Sequence, residues 1–293
     1  MKQRNQGILL IICAGLFFSF MTFFVRISGD LPTMQKTFFR NLFPVFFASV
    51  TLARSEKKFY IRKDSIPSLA ARSIFGVLGV ICNFYAIDKL NLSDANMLNK
   101  LSPFFAIIFS YFILKEKANK VEWGAVIVAF IGALFIIKPS FQMEFIYALI
   151  GLLGGLGAGL AYTFVRKLGK QGERGPVIVL VFSLFSCIVT TPFLIAGYTP
   201  MTTKQLIYLL LAGVSATGGQ FCITAAYTKA PAKDISVFDY FQILFAAILG
   251  FLFLDQIPDY LSIIGYIIII GSAIFKWWYI KKQDHQASVS TAK

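Results

Sequence analysis

The chain has 293 residues, of which 57% are hydrophobic and only 14% charged, with a net charge of +14 and a mean hydropathy of +0.71. Soluble domains carry about 25% charged residues, so a fully water-facing globule is excluded and part of the surface must meet lipid. Nucleic acid is not the partner of the positive charge. The cations sit in short clusters between apolar runs and form no basic face.

Ten apolar runs approach the roughly 20 residues that a bilayer requires. They cover 7–25, 32–53, 66–87, 92–114, 121–138, 145–165, 176–196, 205–226, 234–254 and 259–280. Turn and charge signals separate them: Asp30-Leu31-Pro32, Arg54 to Asp64, Lys115 to Lys120, Lys138-Pro139, Lys170 to Pro176 and Ile257-Pro258-Asp259. The runs are continuous rather than alternating, which argues for helices and against a barrel. The first run follows Met1-Lys2-Gln3-Arg4 in the manner of a signal peptide. It is too long for one and lacks a convincing cleavage site, so it is read as a retained helix.

With both termini placed in the cytoplasm, the inner segments hold 20 Lys and Arg and the outer segments 5. That asymmetry predicts a multi-pass protein of the plasma (inner) membrane with both termini cytoplasmic. Arg40, Arg72 and Lys100 are left within spans. Cys13, Cys82, Cys187 and Cys222 all lie in apolar runs, and the single histidine, His285, lies in a polar tail. No disulfide framework, metal site, cofactor or histidine catalysis is expected.

Shifting the chain by 140 residues aligns it with itself. Gly15-Leu16 meets Gly155-Leu156, and Phe24-Val25-Arg26 meets Phe164-Val165-Arg166. Gly79, Cys82, Ala86, Lys89 and Asp94 meet Gly219, Cys222, Ala226, Lys229 and Asp234. Spans 1, 3 and 4 thus repeat in 6, 8 and 9, while 2 and 7 match poorly. An odd number of spans per copy inverts the second copy, the plan of many secondary transporters. The expected fold is all-α integral membrane: ten transmembrane helices as two inverted five-helix repeats. The first repeat covers residues 1–140 and the second 141–282, with a polar tail at 283–293.

The segment from Arg72 through Pro139 carries family-like motifs. These are Phe84-Tyr85-Ala86-Ile87, Ser93-Asp94-Ala95-Asn96, Leu101-Ser102-Pro103-Phe104-Phe105-Ala106 and Ile113-Leu114-Lys115-Glu116, with Gly124 and Gly132 following. In these the chain resembles the EamA-like branch of the drug/metabolite transporter superfamily. The second half departs: Ile243 stands where a proline is usual, and Asp255-Gln256 replaces the acidic close. The resemblance implies export or exchange of small metabolites.

Ionisable groups inside a membrane are costly and point to function. Lys100 shares a helix face with Asn96 and Pro103 and lies beside Asn99. It reads as an anion contact in a polar cavity, or as a lysine snorkelling outward. Arg40 is too deep to snorkel; it clamps a substrate acid or partners a structural group. Arg72, near the inner end of span 3, reads as a snorkelling residue. Asp239 is the coupling candidate, free to carry a proton or to pair with Arg40 or Lys100. Asp94 and Asp234 read as N-caps. Asn83, Gln220, Tyr85 and Tyr240 are expected to line the substrate site, and Pro103 to act as a helix hinge. Glycines at 76, 79, 218 and 219 thin the faces of spans 3 and 8.

The function expected is secondary transport of a small anionic or zwitterionic metabolite by alternating access, without enzymatic activity. The partners expected are that metabolite, the lipid bilayer and coupling protons, with room for a homodimer. The rivals are an intramembrane enzyme on a lipid-linked substrate and a non-transporting scaffold or receptor.

Overall fold

The computed structural model describes residues 2–55, 59–89, 98–137, 145–253, 257 and 259–291. Helices α1 to α5 are Lys2–Ile27, Thr33–Ala53, Ile66–Lys89, Ser102–Leu114 and Lys120–Ile137. Helices α6 to α10 are Phe145–Lys170, Gly175–Ala196, Thr203–Lys229, Phe241–Phe253 and Tyr260–Thr291. Capping residues set several boundaries. A reciprocal Thr202–Gln205 box starts α8, and Asn119 and Glu122 exchange bonds of 2.9 and 2.7 Å at the start of α5. Lys115 ends α4 in the left-handed conformation at φ 59°.

The protein is an all-α integral membrane protein. Among the described residues, seven helices are long and apolar enough to cross a membrane: α1, α3, α6, α7, α8, the stretch Ala232–Phe253 and α10. The expectation of ten is met in these seven. Helix α4 has 13 residues, and α2 carries Gln35, Lys36, Arg40 and Asn41 in its first half. Large apolar side chains face outward, such as Ile127 and Ile131 on α5 and Ile263, Ile267 and Ile274 on α10. Such a surface suits acyl chains and not water.

Two elements depart from the continuous helices expected. The ninth span is broken: a turn at Ala232–Ile235 and a 3-10 turn at Ser236–Tyr240 precede α9. A turn at Lys100–Leu101 likewise precedes α4. The polar segment after residue 282 does not leave the helix, since α10 runs on to Thr291.

The principal helix pairs are α1–α8, α3–α6, α2–α7 and α5–α10; in addition α2 packs on α8, α4 on α6 and α9 on α1. A shift of one repeat converts α1–α8 into α6–α3 and α4–α6 into α9–α1, and it maps α2–α7 and α5–α10 onto themselves. Packing is thus consistent with an inverted repeat. Glycines permit the close approach between α3 and α6: a Cβ on Gly157 would fall 2.9 Å from the Phe75 carbonyl oxygen. The repeat mates Gly15 and Gly155 do the same for the broken segments. Added Cβ atoms there would meet Gln242 N at 3.1 Å and the Leu98 carbonyl oxygen at 2.5 Å. Arg4 donates to the Ile280 carbonyl oxygen at 3.5 Å, so α1 begins at the end of the bundle that α10 approaches. We call this end the terminal face.

Candidate functional site

A cavity of about 120 Å³ lies between the halves, lined from α1, α2, α3, α6, α7, α8, α9 and the segment before α4. Its polar lining comprises Arg40, Arg72, Asn83, Lys100, Tyr162 and Gln220 among others. Phe18, Met21, Phe84 and Phe182 supply apolar wall, and Gly76, Gly79, Ala158 and Ala161 keep α3 and α6 thin enough to leave space.

Lys100 does not snorkel. It is 6% exposed, 3.2 Å from Asp239 Oδ2, and donates to Gln242 Oε1 at 2.8 Å. The broken segments make this possible, because the turn before α4 and the 3-10 turn before α9 face each other across the halves. Tyr240, the repeat mate of Lys100, donates its hydroxyl to the Lys100 carbonyl oxygen at 3.1 Å. Ser19 of α1 donates to the Gln242 carbonyl oxygen at 2.8 Å, which holds the start of α9 in place.

The two arginines are different. Arg40 is 6% exposed and donates from Nε to Met21 Sδ at 3.0 Å, while its Nη1 has no acceptor. Arg72 is 3% exposed and donates from Nη2 to Gln220 Oε1 at 3.3 Å. Its guanidinium lies 4.0 Å over the Phe182 ring, and its Nε has no acceptor. Among the described residues, neither forms an ion pair. Ionisable side chains buried in a membrane bundle are costly and point to function, and the charge of neither arginine is met by a carboxylate among the described residues.

The structure therefore corrects the reading of Arg72 as a snorkelling residue. Gly76, one turn further into α3, provides its path inward: a Cβ there would collide with Arg72 Nη1 and lie 2.8 Å from Phe182 Cε2. An Arg followed four residues later by Gly was the available signal. Tyr85 is a second correction. It is 39% exposed beside Tyr147, on the outer side of α3, and does not line the cavity. Tyr240 is fully buried and positions Lys100 without lining the cavity. Asp234 is no N-cap: Pro231 holds that position, and Asp234 faces Arg4 at 3.9 Å. Asn83, Asn99 and Gln220 do line the cavity, and Pro103 occupies the first turn of α4. Asn96 and Asp94 lie outside the described residues. Gln242, Thr22 and Phe182 join the lining without having been expected there; Thr and Phe are common in apolar runs, whereas Gln242, one of the few amides in them and close to Asp239, was a legible signal.

A second polar cluster occupies the terminal face. Glu122 lies 3.6 Å from Lys276 and 3.9 Å from Lys233. Glu116 meets Arg166 at 3.1 Å and Lys170 at 2.7 Å, and Glu173 accepts from the Arg62 backbone N–H at 3.3 Å.

A membrane-embedded bundle with a charged central cavity defines the transporter class. The model of the EamA-like transporter family matches twice, over residues 5–138 and 145–277. The chain belongs to the EamA-like transporter family of the drug/metabolite transporter superfamily, and it is a transporter and not an enzyme. It is 32% identical to the pseudopaline exporter CntI of Pseudomonas aeruginosa over 273 residues, covering 92% of this chain and 95% of that one. An uncharacterized transporter of Helicobacter pylori is 26% identical over 284 residues, covering 92% and 93%. Human solute carrier family 35 member G1 is 25% identical over 297 residues, covering 94% and 81%. A solved crystal structure shares the fold at a TM-score of 0.78 and 14% identity, covering 91% of this chain and 96% of its own.

Proposed function

We propose that the chain is a ten-span secondary transporter built from inverted repeats at 1–140 and 141–282, which moves a small anionic or zwitterionic metabolite by alternating access. Both termini are cytoplasmic in this reading, as the distribution of Lys and Arg favours. The observation that carries the proposal is the central cavity with two buried guanidinium groups that lack ion-pair partners among the described residues. Arg40 and Arg72 hold the substrate's negative group, and Asn83, Asn99 and Gln220 orient its remainder. Lys100 is already neutralised by Asp239, so it serves the substrate only when that pair opens. Asp239 is the coupling group: protonating it would release Lys100 and loosen one contact between the halves. Pro103 marks the hinge. The similarity to an exporter favours outward transport.

The test is counterflow. Proteoliposomes preloaded with unlabelled metabolite extract should accumulate members of a ¹³C-labelled extract faster than liposomes without protein. No accumulated compound would sink the reading. Lys117→Cys and Lys204→Cys check orientation: only the second should react with an impermeant thiol reagent in intact cells.

A further inference from the structure

We infer that the substrate is a dianion, its two negative charges shared between Arg40 on α2 and Arg72 on α3. The inference rests on the reading of the central cavity as the transport site, and narrows that reading to one charge class.

Three cations line the cavity, Arg40, Arg72 and Lys100, and among the described residues no carboxylate does. Asp239 stands behind Lys100 at 3.2 Å and neutralises it. Two positive charges remain, on side chains 6% and 3% exposed. A monoanion would leave one guanidinium uncompensated in a medium of low dielectric, and a net-neutral zwitterion would add no net compensation at all.

The geometry fits as well. Each arginine is anchored by one nitrogen and buries another that has no acceptor. Arg40 is held through Nε on Met21, leaving Nη1 unpaired. Arg72 is held through Nη2 on Gln220 and flat on Phe182, leaving Nε unpaired. A stacked guanidinium keeps its donors in one plane, which suits a carboxylate or phosphate edge. The anchors come from α1 and α8, so both guanidinium groups are held in place before the ligand arrives. Two carboxylates on a short chain and a single phosphate monoester share this chemistry.

The experiment uses the purified full chain and thermal-shift titration. The probes are malonate, succinate, glutarate, inorganic phosphate and glycerol phosphate, set beside monomethyl glutarate and glutaramide. At least one dianion should bind at least about tenfold more tightly than the matched monoanion, with glutaramide silent. Arg40→Gln and Arg72→Gln should each weaken that dianion about tenfold or more, the scale of one lost charged hydrogen bond, and Arg72→Lys should recover part of the loss. A best dicarboxylate identifies separated acids, and a best phosphate identifies a phosphoryl group; both support the inference. The ligand-free midpoints of both Gln variants should match or exceed that of the wild type, which separates lost binding from lost folding.

Equal binding by the monoanion or the neutral probe overturns the inference, as does dianion binding that survives both single substitutions, or no binding by any dianion. Counterflow separates this from failure of the transport reading. Exchange of a neutral or monoanionic compound leaves a transporter without a dianion site. A dianion that binds but never exchanges leaves a dianion site without transport.

Discussion

The terminal face and the central cavity both bury charge, and they treat it oppositely. At the terminal face, acids of one half meet cations of the other: Glu116 meets Arg166 and Lys170, Glu122 meets Lys233 and Lys276, and Asp234 meets Arg4. In the cavity, Lys100 has such a partner, while Arg40 and Arg72 have none among the described residues. Buried ion pairs contribute little net stability when made but cost much when half-removed. Removing one partner in the first region is therefore costly, whereas in the function proposed above the second region is completed by a ligand.

Substitutions should separate the two regions by sign as well as size. The largest effect is expected from Glu122→Gln, which leaves Lys276, 1% exposed, without its carboxylate. Removing one partner of a buried pair costs about 3–5 kcal/mol. The unfolding midpoint of the purified protein should fall accordingly, and adding Lys276→Met should restore much of it. An additive double variant would break the view of this pair as a unit.

Asp239→Asn comes next, at about 2 kcal/mol, because Gln242 still accepts from Lys100 after the charge is lost. The same variant should transport at a rate that no longer depends on a pH gradient. Persisting gradient dependence would remove Asp239 as the coupling group. Arg40→Leu should act in the opposite direction, raising ligand-free stability by about 1 kcal/mol or more while abolishing uptake. A destabilised Arg40→Leu protein would place Arg40 with the terminal-face charges, as structural. The smallest effect belongs to Lys170→Ala, whose side chain is 43% exposed. A change below about 0.5 kcal/mol is expected.

Helix content and the pairing of repeats were legible in the sequence, since both follow from hydropathy and one constant offset. The membrane-buried cations were legible as types: Arg40, Arg72 and Lys100 stood out against apolar neighbours. Their partners were not. Whether Arg72 points to the interface or inward depends on the space at Gly76 and on Phe182 from another helix. Tyr85 and Tyr162 look alike in sequence; rotation of their helices puts Tyr162 on the cavity and Tyr85 against Tyr147. The break before α9 was hidden as well, because Ser236 to Tyr240 read as part of an apolar run, without the Pro or Gly that announces irregular backbone.

The contact between Tyr240 and Lys100 joins residues one repeat apart. A residue beside a two-fold axis faces its own copy. In two identical chains related by such an axis, Lys100 would confront another Lys100 and an Asn99, and like charges would repel at the centre of the membrane. Once the two copies differ in sequence, Asp239 and Tyr240 can stand where Asn99 and Lys100 would otherwise repeat. Divergence between the halves thus lets an ion pair form where two corresponding segments meet. The two halves then differ in charge where they meet, and in the alternating-access reading proposed above the exchanged conformers need not be equal in energy.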